Sequence, residues 1–292
     1  MTDPKNFEIT CDDDCFTHDL GRREFGALAL GAALIAATGA KAAVAVKEND
    51  VTIKTPDGNA DAIFVHPTSG PAPAVLIWTD IMGLRPAFRD MAKRLAGEGY
   101  AVLCPNPFYR QGKAPTFGPD FDFQKSEGRA QAMAAAGPLQ APGAAERDAA
   151  AYVAWLDTQA AVKKTAKIGT TGYCMGGPLV MKTAYTIPGR IGAVGSFHGG
   201  GLATDKPDSP HLSIPKMKAD FLICVADNDD KREPMVKDTL KGAFAAAKLA
   251  AEIEVYDGAN HGWCVPGSAV YNEDAAEKAW ARLLVHLKKA LV

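Results

Sequence analysis

Four short apolar runs, AVLIWT, YAVLCP, IGAVGSF and ADFLICVA, punctuate this chain and constrain its fold more than any other feature. A strand with no polar alternation must be covered on both faces, which is the situation inside a parallel sheet. Between the runs the apolar period changes to that of a helix: Phe88, Met91, Ala92 and Leu95; Tyr152, Trp155 and Leu156; a stretch from about Glu233 to Lys248; and finally Trp280, Leu283, Leu284 and Leu287. VTIKT and ADAIFVHP flank PDGN, the signature of a tight hairpin. AEIEVYD reads as a last strand. The expectation is an α/β fold with a mostly parallel central sheet, helices on both faces and an antiparallel N-terminal hairpin. In such sheets chemistry gathers in the loops at the carboxyl ends of the strands. NPFYRQGKAPTFGPDFD, long and rich in Pro and Gly, reads as a working loop.

The first 45 residues have a different order. Arg22 and Arg23 precede a weakly apolar, Ala/Gly-rich stretch from Phe25 to Ala37, followed by small residues. A basic region, an apolar run and a small-residue cleavage site make a secretory signal. The pair followed by Glu24 and Phe25 resembles a twin-arginine export signal. The apolar run is short for the ~30 Å of hydrocarbon a membrane anchor must cross. Cleavage near Ala42 or Ala45 is expected, leaving 46–292 as one periplasmic domain delivered by the twin-arginine export machinery. The formal net charge of −2 and the absence of a basic patch argue against nucleic acid as a partner.

Six cysteines lack the regular spacing of a disulfide framework. Cys11 and Cys15, in CDDDC, lie upstream of the arginine pair, and one such spacing is a weak metal signal. Cys104 and Cys224 sit in apolar runs and read as core. Cys174 differs. Gly172-Tyr173-Cys174-Met175-Gly176 fits the nucleophile-elbow pattern with cysteine in place of serine. The sharp strand-to-helix turn needs small neighbours, and the following helix points its N-terminal N–H groups at the site. That favours a thiolate and a developing oxyanion. A phosphate-binding glycine turn or a close-packed core cysteine would use the same residues.

A thiol nucleophile needs an imidazole base, and the base needs an orienting carboxylate. The chain order for this fold is nucleophile, acid, histidine. His261, in DGANHGW after the last strand, satisfies that order. His198, in SFHGG, precedes every candidate acid and suits a supporting role. The acid belongs in ADNDDKREP, where Asp227, Asp229 and Asp230 crowd and spacing does not choose among them.

From about residue 50 onward the chain resembles the dienelactone hydrolase family, cysteine hydrolases of α/β-hydrolase fold. DIMGL, CPNPFYRQ, GYCMGG, SPH, ADNDDKREP and ANHGW carry the resemblance in the family's order. It implies Cys174 as nucleophile, His261 as base and Asp229 as acid, with Asp227 the fallback. The backbone N–H groups of Ile81 and Met175 would form the oxyanion hole. Asp80 falls where the family has a glutamate beside the thiol. Arg110 falls on an arginine that binds the substrate's carboxylate, while a second such arginine is replaced by Cys264 or Val265. Tyr173, His198 and Trp263 belong to the surroundings of the site.

The expected activity is hydrolysis of a small ester or lactone, anionic ones included, through a thioester, as in a carboxymethylenebutenolidase, with no metal or organic cofactor. The alternative is an exported, non-catalytic small-ligand-binding or thiol-redox protein on the same fold. Cys264, three residues past His261, reads first as a packing residue; paired with Cys174 in an oxidising periplasm it would switch the enzyme off.

Overall fold

The computed structural model describes residues 44–292. The arginine pair and the CDDDC cysteines lie outside the described residues, as does nearly all of the expected signal segment. No described helix is long and apolar enough to cross a membrane.

Among the described residues eight strands form one sheet in the order β1-β2-β4-β3-β5-β6-β7-β8. β1 (Val46–Thr55) and β2 (Gly58–Pro67) are the expected hairpin. β1 starts upstream of VTIKT because Lys47 to Asp50 continue the ladder, pairing with His66 to Ile63. β2 is antiparallel to β1 and to β4 (Ala101–Pro105). Every other pairing, through β3 (Ala74–Trp78), β5 (Ile168–Tyr173), β6 (Ile191–Phe197), β7 (Asp220–Ala226) and β8 (Ala251–Tyr256), is parallel. This is the α/β-hydrolase arrangement.

The alternation of side chains along β3 shows how the layers are divided. Leu76 and Trp78 face one core and Val75 and Ile77 the other. The first core is closed by α3 (Ala144–Thr158), α4 (Gly176–Thr186) and α6 (Met235–Ala247), which contribute Tyr152, Val180 and Phe244. The second is closed by α1 (Pro86–Gly97) and α7 (Glu273–Leu291), which contribute Phe88, Leu95, Leu283 and Leu287. Cys104 and Cys224 are buried in the second core, as their apolar neighbours require.

Two helices carry no clear sequence signal. α2 (Ser126–Gln140) is rich in Ala and Gly and includes Pro138, so its apolar face is faint. α5 (Asp227–Arg232) is a six-residue helix made wholly of charged and polar residues, in the segment that reads as a solvated turn. The Pro/Gly-rich connection after β4 stays without a helix or strand until α2. Its root is pinned by Asn106, whose amide donates to Asp61 and to the Gly112 carbonyl and whose oxygen accepts the Phe108 N–H.

Candidate active site

Each strand end at the carboxyl edge presents one component of the site. β5 runs fully buried into the elbow, and Cys174 there has φ 52°, a left-handed conformation that a non-glycine residue adopts only under constraint. Two glycines allow it. A Cβ on Gly172 would stand 2.2 Å from the Gly176 carbonyl oxygen, and one on Gly176 would stand 2.4 Å from that of Trp78. The elbow is therefore pressed against its own helix and against β3, and the half-buried Cys174 side chain is raised at the start of α4.

β7 leads into α5, where the acids separate by partner. Asp227 takes the Lys231 ammonium at 2.8 Å, and Asp230 takes Lys237 at 2.7 Å. Asp229 faces inward: its Oδ2 accepts from Nδ1 of His261 at 2.6 Å, while Oδ1 accepts from Arg232. His261 lies on the loop after β8, and Asn228 Oδ1 holds its backbone N–H at 2.9 Å. With Nδ1 occupied, Nε2 is left for the thiol. Sulfur and imidazole donor atoms of Cys174, His198 and His261 lie within 4.8 Å of one another. Burial disfavours charge on His261, but the Cys174 sulfur and the Asp229 carboxylate outweigh it and raise the imidazolium pKa to about 10.

The N–H groups of Ile81 and Met175 donate to no protein acceptor among the described residues. They lie respectively just past β3 and at the amino end of α4, the two places from which this fold addresses an oxyanion. Ile81 and Met175 side chains pack with Phe117 against Phe108 and α2, so an apolar wall adjoins both donors.

Other expected participants have different neighbours. The Asp80 carboxylate is engaged by Arg85, whose two terminal nitrogens donate at 2.6 and 2.7 Å, and it also accepts the Met82 N–H. All three of these bonds come from its own loop, within five residues of Asp80. Arg110 is committed to Asp148, which it meets through both terminal nitrogens at 2.8 Å, and to Asp57 at 2.6 Å. Asp148 is fully buried and also accepts from Tyr109. Burial pushes its carboxyl up, opposed by Arg110 and Tyr109. Arg110 thus neutralises a buried carboxylate instead of offering a free guanidinium to a substrate anion. Arg85 and Asp148 have no motif of their own, and only the tertiary structure identifies them.

Tyr173 and Trp263 are core residues, 3% and 0% exposed. They stack on Phe197 and Tyr256 respectively. His198 ends β6, has φ 40° and is 1% exposed, with its ring edge-on to His261 and to Trp263. Burial, and then the charge on His261, hold it well below the ordinary imidazole pKa, so it is neutral. Cys174 and Cys264 are both free thiols, and Cys264 is buried in the α1–α7 core, where burial raises its pKa. A cavity of about 130 Å³ between α1 and α7, lined by Met91, Tyr173, Cys264 and Trp280 among others, reaches neither Cys174 nor His261.

Comparison with known proteins identifies the family. Residues 60–291 match the model of the dienelactone hydrolase family. A carboxymethylenebutenolidase of Rhodococcus opacus is 27% identical over 244 residues, covering 82% of this chain and 90% of that protein. One from Pseudomonas putida is 25% identical over 235 residues, covering 80% and 93%. The crystal structure of a dienelactone hydrolase from Anabaena variabilis superposes with a TM-score of 0.61 at 19% identity, over 85% of this chain and 99% of that one. With the match spanning most of the described sheet and every strand end that builds the site, the chain belongs to the dienelactone hydrolase family.

Proposed function

We propose that this hydrolase cleaves small carboxylic esters or lactones by nucleophilic catalysis at Cys174. The observation that carries the reading is the placement of His261, bound at Nδ1 by Asp229 at 2.6 Å and with its other edge toward the elbow sulfur. Sulfur attacks the acyl carbon, and the N–H groups of Ile81 and Met175 receive the oxyanion. The intermediate collapses to a thioester as imidazolium His261 protonates the departing oxygen. Asp229 holds the imidazole with Nδ1 protonated throughout. His261, now neutral, takes a proton from water, which attacks the thioester and releases the acid.

The wall of Ile81, Phe108, Phe117 and Met175 suits a small apolar acyl group. Arg110 is paired with Asp148 and Asp57 and Arg85 with Asp80, so the reading favours uncharged esters over carboxylate-bearing lactones. A panel of p-nitrophenyl esters and lactones, assayed with wild type, Cys174→Ala and His261→Gln, tests it. Turnover by wild type and its loss in both variants are expected; equal rates in all three proteins would refute the assignment.

Export is part of the proposal. Its support is the order of Arg22, Arg23, the apolar run and the small residues that follow.

A further inference from the structure

Hydrolysis as described leaves His198 without a task, although its environment is unusual. It is 1% exposed, and neither of its ring nitrogens has a hydrogen-bond partner among the described residues. A neutral imidazole has one N–H and one lone pair, and burying both unmet is unfavourable. A phenyl ring would fill the space between Trp263 and His261 without that cost. The backbone is also constrained to bring the ring there. His198 adopts φ 40° at the end of β6, with its N–H held by the Cys224 carbonyl at 2.8 Å. Cys174 does the same at the end of the neighbouring strand, with φ 52° and its N–H on the Phe197 carbonyl. Two adjacent strands thus each turn one metal-binding side chain toward the same point, and His261 reaches it from the loop after β8.

We infer that Cys174, His198 and His261 form a site for one borderline or soft divalent transition-metal cation, zinc being the representative, and that its occupancy silences the nucleophile. One sulfur and two imidazole nitrogens are a donor set suited to such ions. The donor atoms lie within 4.8 Å of one another. Bonds of ~2.3 Å to sulfur and ~2.0–2.1 Å to nitrogen place tetrahedral ligands about 3.5 Å apart. No pair therefore has to close by more than about 1.3 Å, and His261, on a loop and 31% exposed at its side chain, is the least confined of the three ligands. The bond from His261 Nδ1 to Asp229 is the carboxylate–histidine arrangement that orients a metal-binding imidazole and leaves Nε2 for the metal. The fourth position is left for water. The inhibition rests on the proposed nucleophilic role of Cys174; the binding does not.

The test uses the purified protein with cobalt(II) as a spectroscopic stand-in and zinc in competition with a chromogenic chelator. Wild type should bind one equivalent and show a thiolate-to-cobalt charge-transfer band, absent in Cys174→Ala. Asn tolerates the left-handed conformation required at 198, so His198→Asn keeps the backbone and removes the imidazole. It should weaken zinc binding at least about tenfold. Equal affinity in His198→Asn, or no charge-transfer band in wild type, would overturn the site. A second measurement needs no variant: imidazole 15N resonances of both His198 and His261 should shift on adding zinc, and a shift of His261 alone would overturn it. Wild-type ester turnover, measured separately, should fall with zinc and return with chelator. Cobalt binding without any esterase activity would leave the site standing and remove the proposed function instead.

Discussion

Asp229 on α5 and His261 on the loop after β8 meet at 2.6 Å, while Asp227, two residues earlier, is turned to Lys231. The α5 turn decides this, since it sends residues 227 and 229 to different sides of a six-residue helix. Asp229→Asn is therefore expected to lower kcat/KM for a p-nitrophenyl ester by about 10²–10⁴-fold. Asp227→Asn should stay within a few fold of wild type. The reverse order would give the orienting role to Asp227.

The sulfur raises the pKa of its partner. Against the effect of burial, Cys174 and Asp229 push the His261 imidazolium up to about 10 in the folded chain, from 6.5 for a free imidazole. Because the folded state binds this proton more tightly, the proton's stabilising contribution is complete below pH 6.5 and declines as pH rises to about 10. Cys174→Ala removes one of the two groups that raise the pKa. Its His261 should titrate lower by NMR, and its melting temperature should fall less steeply across that window. An unchanged titration would place the sulfur outside contact with the ring.

Arg110 and Asp148 make a structural pair, which separates stability from substrate binding. Arg110→Ala leaves a buried carboxylate without its partner and should destabilise the fold by about 3–5 kcal/mol in urea denaturation. KM for anionic substrates should not rise selectively in that variant relative to neutral ones. A selective rise with intact stability would restore Arg110 to the substrate site.

The elbow glycines differ from those in open loops. On Gly176 a Cβ meets two backbone carbonyl oxygens, at 2.4 and 2.9 Å, whereas on Gly189 it meets nothing within 4 Å. Gly176→Ala should cost about 1–3 kcal/mol, through overpacking that the backbone cannot relieve. Gly189→Ala should be close to neutral by the same denaturation assay.

These contrasts also show what a sequence can and cannot reveal. The buried strands were legible because a run such as AVLIW has no polar side to offer solvent. The elbow and His261 were legible because their order along the chain is itself a constraint. α2 was not, since the alanines around Pro138 carry little apolar pattern of their own and are packed by Phe108 and α3. Nor was the commitment of Arg110, because Asp148 lies 38 residues away and becomes its partner only when α3 docks. The pairing of Asp80 with Arg85, five residues on, likewise has no motif to announce it.

Export makes an independent prediction. Replacing Arg22 and Arg23 with lysine should retain the protein in the cytoplasm on cell fractionation, while wild type is recovered from the periplasm without its first residues. Equal distribution of the two would remove the twin-arginine reading.

The most direct measurement is the mass of the protein quenched during turnover of a small p-nitrophenyl ester. The account predicts one acyl group, in thioester linkage, on the peptide carrying Cys174, and neither adduct nor turnover in Cys174→Ala. Full turnover by that variant, or an acyl group on any other residue, would contradict it.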